Sequence, residues 1–187
     1  MNSIVFYLTY PLIWLLSQLP MSILYLKSDF FFFLIYHVFG YRKKVIFGNI
    51  ATAFPEKSED ERKIIGKKFY KHFTDMIVES IKSFSISEKE ILKRYSYKNP
   101  ELINKYVKDG KSIALVSAHL ANWEWSFSLP LAIDGNVFGA YSKLRNETFE
   151  KKLKENRQKF GVVGAKTTDF IGVINSHFKN KTQGSYI

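Results

Sequence analysis

The sequence contains no cysteine. This absence excludes disulfide bonds, thiolate metal sites and cysteine nucleophiles. The four histidines are scattered along the chain, without the short spacings that are typical of metal ligands: His37, His72, His119 and His177. The chain also lacks a Gly-x-Ser-x-Gly segment, the turn that presents the nucleophile of many serine hydrolases. We therefore expect no metal site and no nucleophile supplied by the protein itself.

Acidic residues are scarce, with 17 Asp and Glu against 28 Lys and Arg, and the formal net charge is +11. A balance this basic favours an anionic partner: a phospholipid surface, a nucleic acid or an acidic protein. The lysines are spread over predicted helix faces, and no recognised nucleic-acid-binding module occurs. We therefore expect no nucleic-acid partner.

Charged residues are absent from the apolar run at residues 4–26, which is long enough to cross a bilayer. A second apolar run, residues 30–39, is too short to cross alone, and a basic segment at residues 41–44 follows it directly. Aromatic rings next to basic residues are typical of membrane interfaces. Residues 1–44 are predicted to form a membrane anchor and basic interface segment, as one helix or a helical hairpin embedded in phospholipid from one side. A buried helix of a globular fold is the alternative.

The remaining chain, residues 45–187, alternates between helix and strand. Capping boxes at Ser58 and Ser87, and the pair Asn99-Pro100, predict the starts of three helices. The first of these carries an apolar stripe: Ile65, Phe69, Phe73, Met76, Ile77, Ile81 and Phe84.

Beyond Gly110 the predicted strands cover residues 112–117, 137–141, 162–163 and 184–187. The helices predicted between them cover residues 120–133, 147–160 and 168–178. Such alternation predicts an α/β fold with a mostly parallel sheet flanked by helices.

One junction in this alternation carries a candidate reaction centre. His119 follows the strand predicted at residues 112–117, and Glu124 lies five residues further on. Ligands of parallel α/β sheets gather beyond the carboxyl ends of the strands. A carboxylate that accepts a hydrogen bond from one imidazole nitrogen raises the basicity of the other, so His119 is a candidate general base for a substrate hydroxyl or amine. A histidine that only caps the helix fits the same spacing.

The full string His119-Leu120-Ala121-Asn122-Trp123-Glu124 resembles the H-x-x-N-W-E motif of the bacterial lipid A biosynthesis acyltransferases, in the lysophospholipid acyltransferase superfamily. Position 121 is Ala where that family usually has Gly. Other matching residues occur in the same order over essentially the whole chain: Tyr41-Arg42-Lys43-Lys44-Val45, Asn49-Ile50, Phe54-Pro55-Glu56, Tyr141, Lys143, Leu144, Asn146, Arg157 and Gly161.

The resemblance implies that His119 deprotonates a hydroxyl of a lipid A precursor, while Glu124 orients His119 and stabilises its charged form. The oxygen then attacks the thioester of an acyl carrier protein or coenzyme A, which is a co-substrate, and no metal or bound cofactor takes part. The expected location is the cytoplasmic face of the cell inner membrane, in agreement with the positive-inside tendency of the basic segment.

The resemblance also suggests which residues contact substrate: Asn122, Trp123, Tyr141, Lys143, Arg145, Asn146 and Arg157. The cations among them would meet phosphates or sugar acids of the acceptor, or would form an ordinary solvated basic face. Members of the family continue with an Asp-Gln segment after the strand that begins at Gly184. We therefore expect this sequence to be a C-terminally truncated member, with an incomplete acyltransferase domain at residues 45–187.

Two alternatives stay open at this point. The acceptor could be another lipid, such as a phospholipid, an amino-acid lipid or a pigment precursor, because the residues above do not separate these. A non-catalytic membrane-associated binding protein would share the anchor and the basic helix faces.

Overall fold

The computed structural model describes residues 2–187, with side chains from Val5 onward. The chain forms two compact units. One is Ile13–Lys82, and the other is Ser83–Ile187 together with the N-terminal residues up to Leu12. The domain boundary predicted between residues 44 and 45 lies inside the helix Lys43–Ala53, within the unit Ile13–Lys82. As a division by function, this boundary stays a prediction.

Helices build the unit Ile13–Lys82. The α1 helix (Asn2–Ser17) enters it, and α2 (Met21–Phe32) continues directly into a π helix (Phe33–Val38). The α3 helix (Lys43–Ala53) and the long α4 helix (Glu59–Lys82) follow. The capping box at Ser58 is confirmed, since the Ser58 N–H donates to Glu61 Oε2 at 2.8 Å and the Glu61 N–H donates to Ser58 Oγ at 3.3 Å.

The apolar run at residues 4–26, which is long enough to cross a bilayer, is not one continuous helix. The α1 helix ends at Ser17 and α2 begins at Met21, because Pro20 is extended (φ −58°, ψ 148°) and has no N–H for a continuous helix. Within the described residues, the segment long and apolar enough to cross a membrane is Met21–Val38. An N-terminal apolar helix is therefore present, and the membrane anchor expected at residues 1–44 stays a prediction.

The buried face of α4 differs from the predicted apolar stripe. The buried residues recur every four positions: Gly66, Tyr70, Thr74, Val78 and Lys82. All seven residues of the predicted stripe are half-buried or exposed. The helix packs through small and hydrogen-bonding groups instead: a Cβ at Gly66 would overlap the Phe47 ring, and Thr74 accepts a hydrogen bond from Ser28 at 3.1 Å.

A four-stranded parallel sheet organises the second unit. The strands are β1 (Ile113–Ala114), β2 (Val137–Tyr141), β3 (Val162–Lys166) and β4 (Ser185–Tyr186), in the order β1-β4-β2-β3. Every adjacent pair is parallel. The predicted α/β class, with a mostly parallel sheet flanked by helices, is confirmed.

The first strand is shorter than the predicted residues 112–117. The Leu115 N–H still donates to the Tyr186 carbonyl at 2.7 Å, but β4 is the strand that pairs with β1 and it ends at Tyr186. Val116 consequently has no partner strand and is 99% exposed. The short β1 leaves an extended loop that leads to His119.

The helix predicted at residues 120–133 is wrong, because the chain instead forms a 3₁₀ helix, Trp123–Leu131. Ala121 adopts a left-handed conformation (φ 51°), which delays the helix start. Hydroxyl groups bond two carbonyls of this segment: the Tyr97 hydroxyl donates to Ser126 O at 3.2 Å, and the Ser128 hydroxyl donates to Trp125 O at 2.8 Å. An α-helix would leave Ser126 O without its donor, because position 130 is proline and has no N–H.

Four further α-helices belong to this unit: α5 (Glu88–Arg94), α6 (Pro100–Lys108), α7 (Glu147–Gln158) and α8 (Phe170–Lys179). The last three pack on strands of the sheet, and α5 packs on the 3₁₀ helix. Ser87 caps α5 as predicted, accepting from the Glu90 N–H at 3.2 Å. The α6 helix begins at Pro100 as predicted, but Asn99 is left-handed (φ 56°) and its side chain does not cap the helix.

We expect Tyr97→Phe to destabilise the unit that contains the 3₁₀ helix. The Tyr97 hydroxyl lies 2.9 Å from Ser128 Oγ, and its loss should lower the free energy of unfolding by about 1 kcal/mol. Burial, ahead of any other cause, raises the pKa of Tyr97, so the native state favours the neutral phenol. The stability that the neutral Tyr97 phenol contributes is therefore complete below the unfolded pKa of about 10, and it is lost as the pH rises above that value.

Chemical denaturation at pH 8 and at pH 11 tests this prediction. The wild-type chain should lose more stability between the two pH values than Tyr97→Phe does. Equal losses for both proteins would show that Tyr97 does not contribute in this way.

Candidate active site

A cavity of about 560 Å³ lies beyond the carboxyl ends of the strands in the sheet-containing unit. This is the edge at which parallel α/β sheets bind ligands. Its wall combines the loop after β1, the 3₁₀ helix, the end of β2 and one face of α7. The lining residues are Ser117, Ala118, His119, Trp123, Glu124, Ser126, Phe127, Gly139, Ala140, Tyr141, Ser142, Leu144, Lys154, Arg157, Gln158, Val162, Gly164, Thr167 and Ile187.

His119 lies on the loop between β1 and the 3₁₀ helix, at the exposed side of the cavity. Its ring packs at a tilt against the Trp123 ring, with the ring centroids 4.2 Å apart. The backbone turns sharply here, because Ala121 is left-handed and the Leu120 N–H donates to the Ala118 carbonyl at 2.8 Å. Packing on Trp123 thus positions an imidazole that is open to a bound molecule.

Glu124 forms a two-point ion pair with Arg157 of α7. Arg157 Nε donates to Glu124 Oε2 at 3.0 Å, and Arg157 Nη2 donates to Glu124 Oε1. The two side chains are only 21% and 22% exposed, so water screens the pair weakly. Within the described part of the chain, no hydrogen bond joins Glu124 to His119, although both side chains line the cavity.

The structure brings five of the nine predicted site residues to the cavity: His119, Trp123, Glu124, Tyr141 and Arg157. Burial, and then the Glu150 carboxylate, raises the pKa of the Tyr141 hydroxyl. The phenol therefore stays neutral near pH 7 and can donate or accept a hydrogen bond at the end of β2.

The other four predicted residues lie outside the cavity wall. Asn122 is buried directly before the 3₁₀ helix, and Arg145 is exposed. Asn146 caps α7, since its Oδ1 accepts from the Thr148 and Phe149 N–H groups at 3.1 Å each. Lys143 forms an exposed ion pair with Glu147 at 3.6 Å.

Sequence reasoning missed several polar residues of the wall, above all Lys154 and Gln158. A usable signal was present, because residues three or four apart share a helix face. Lys154 lies three residues before Arg157 and four before Gln158, so the three side chains lie on one face of α7. Lys154 is exposed and has no ion pair with a carboxylate among the described residues. It therefore offers an uncompensated positive charge at the rim.

Metal-ligating side chains do not cluster in the described part of the chain, where no group of three or more His, Asp or Glu residues could hold an ion. Among the described cavity side chains, His119 is a candidate base, and the Glu124–Arg157 ion pair lines the same cavity. Apolar residues such as Phe127 and Val162 form other parts of the wall. This set suits proton transfer to or from a substrate that carries an apolar group.

No curated protein matches the chain. The family described as bacterial lipid A biosynthesis acyltransferases matches residues 1–186, which is almost the whole sequence. An acyltransferase family fits the histidine at the cavity and the parallel sheet that carries it. The chain therefore belongs to the bacterial lipid A biosynthesis acyltransferase family.

Proposed function

We propose that this protein transfers a fatty acyl chain from an acyl thioester, on acyl carrier protein or coenzyme A, to a hydroxyl of a lipid A precursor. The observation that carries the proposal is the position of His119. Its exposed ring lines a cavity beyond the carboxyl ends of the strands, together with Glu124, in a chain of an acyltransferase family. The cavity volume, about 560 Å³, lies in the roughly 300–1,000 Å³ range of small-molecule sites.

In the proposed reaction His119 acts as general base. A ring nitrogen takes the proton of the acceptor hydroxyl while the oxygen forms a bond to the thioester carbonyl carbon. The tetrahedral intermediate collapses, the carbon–sulfur bond breaks, and the imidazolium returns its proton to the departing thiolate. The products are an acyl ester and a free thiol, and these steps use no metal or bound cofactor.

Glu124 stabilises the imidazolium by its negative charge in this proposal, and Arg157 holds the carboxylate in place. This role differs from direct orientation of His119, because the Glu124 oxygens already accept hydrogen bonds from Arg157. Trp123 supports the histidine ring by packing against it. Arg157 would then act mainly on Glu124 rather than on an acceptor phosphate.

Lys154 is the cation that we propose for an anionic group of the acceptor. Two cations of α7 line the cavity. Arg157 is already ion-paired with Glu124, whereas Lys154 is exposed. A phosphate of a lipid A precursor would find its counter-charge there. Arg145 and Lys143 lie outside the wall and would contact only parts of the acceptor that project from it.

Members of this family are generally membrane-associated, and Met21–Val38 is apolar enough for membrane contact. We propose the cytoplasmic face of the inner membrane as the location. Acyl thioesters are made in the cytoplasm, and the basic segment at residues 41–44 favours that side.

The replacement His119→Ala should lower the rate of acyl transfer by a factor of about 10²–10⁴, because it removes the general base. The assay combines the full chain in phospholipid–detergent micelles, an acyl thioester and a lipid A precursor with a free hydroxyl. Mass spectrometry detects the added acyl group.

The matched control is His72→Ala, which removes an exposed histidine of α4 outside the cavity and should keep full activity. A folded His119→Ala protein with undiminished transfer would contradict the proposed role. Transfer to phospholipid but not to the lipid A precursor would contradict the proposed acceptor.

For Lys154→Ala, we expect the KM for a phosphorylated acceptor to rise about fivefold, with kcat within twofold of the wild type. The lost interaction is a single exposed charge pair, worth about 1 kcal/mol. Lys151→Ala is the control, since Lys151 is an exposed lysine of α7 that does not line the cavity. An acceptor without its phosphates should abolish the difference between variant and wild type; an unchanged KM with the phosphorylated acceptor would refute the assignment.

A further inference from the structure

The helical segment Met21–Val38 has one apolar face that no other part of its unit covers. Four large apolar residues recur along this face at helical spacing and are 40–69% exposed: Ile23, Leu26, Phe30 and Phe33. Val38 and Phe39 extend the exposed apolar surface at the far end. This surface, here called the outer stripe, is defined by those six residues.

The opposite side of the same segment packs on α4 through polar contacts. Met21, Leu24 and Ser28 are buried there. Four hydrogen-bonded or ionic pairs connect the two helices: Tyr25 with Glu79 at 2.8 Å, Ser28 with Thr74 at 3.1 Å and with Asp75 at 2.5 Å, and Asp29 with Lys71. At the far end, the Tyr70 hydroxyl donates to the Tyr41 carbonyl at 2.5 Å. The α2 and π helices therefore lie along α4 over most of their length.

These contacts argue against a membrane-spanning role for Met21–Val38. To cross the hydrocarbon core, the segment would have to carry α4 and its charged side chains with it, or leave α4 and break the polar pairs. In the first case ionised groups such as Asp75, Glu79 and Lys71 would enter lipid, and in the second Asp29 would enter it unpaired. An 18-residue helix also measures only about 27 Å, slightly less than the roughly 30 Å core.

Unpaired cations border the outer stripe in sequence. Lys27, Arg42 and Lys44 are exposed, and none of them forms an ion pair with a carboxylate within the described residues. Basic residues next to exposed aromatic rings complement an anionic phospholipid surface. Such a surface matches both the stripe and the cations beside it. The acyl chains would contact the apolar side chains, and the phosphates would pair with the cations.

We propose that Met21–Val38 lies in the plane of the membrane interface, with the outer stripe against the acyl chains of an anionic phospholipid leaflet and α4 on its aqueous side. The segment does not cross the bilayer. This inference concerns the helical unit Ile13–Lys82 and does not depend on which acyl acceptor the protein uses.

Because the chain has no cysteine, one introduced cysteine gives a single labelling site. The depth of that position in the bilayer can then be measured. Ile23→Cys, Phe30→Cys and Val38→Cys, each in the full chain, are labelled with a fluorophore and bound to phosphatidylcholine–phosphatidylglycerol vesicles. Lipids that carry a quencher at a shallow or a deep acyl position then report the depth of each label. We expect the shallow quencher to be the stronger one at all three positions.

A spanning helix gives a different pattern, in which the label at position 30 lies near the bilayer centre and those at positions 23 and 38 lie near opposite surfaces. That pattern overturns the proposal. Protection of all three labels from both lipid quenchers also overturns it, because the stripe would then be covered by a second copy or another protein.

Charge variants test the second half of the proposal. Replacing Lys27, Arg42 and Lys44 together by Gln should weaken binding to phosphatidylglycerol-containing vesicles about 100-fold, at roughly fivefold per cation. The control is Lys63→Gln, because Lys63 is already paired with Glu59 and Asp60 at 3.2 Å each. Equal losses for the triple variant on anionic and on pure phosphatidylcholine vesicles would contradict the role of the cations. Acyl transfer is not measured in either experiment, so a failure of the proposed reaction leaves both results interpretable.

Discussion

The ion pair between Glu124 and Arg157 is the interaction on which the candidate site depends. It connects the 3₁₀ helix after β1 to α7 after β2, two elements that are distant in sequence and both line the cavity. Removal of one partner would leave the other charge weakly solvated, which is more costly than loss of an exposed pair. The pair therefore fixes both the shape of the cavity and the position of the only carboxylate among its described lining residues.

Much of the framework could be predicted from the sequence, because local signals determine it. Capping residues such as Ser58 and Ser87 satisfy the first N–H groups of their helices whatever the tertiary context. Alternation of apolar strands with helices predicted the parallel sheet, and the position of His119 after a strand predicted its place at the carboxyl edge. The predicted pairing of Glu124 was less successful, because a five-residue spacing does not reveal that Arg157 lies closer to its oxygens.

The remaining differences come from contacts between distant segments. The Tyr97 hydroxyl donates to the Ser126 carbonyl, which has no α-helical donor because position 130 is proline, and the predicted α-helix is a 3₁₀ helix instead. The buried face of α4 is set by packing on α2 and α3, so apolar periodicity alone selected the wrong residues. Lys154 carries no motif and is recognisable only once Arg157 is known to face the cavity.

A double-mutant cycle on the ion pair tests the central claim most directly. The free energy of unfolding would be measured for the wild type, Glu124→Gln, Arg157→Gln and the double variant. If the two side chains hold the cavity walls together, the single changes should be non-additive by about 1–3 kcal/mol, and the double variant should be more stable than their sum indicates. Additive losses, with a coupling energy near zero, would contradict the account.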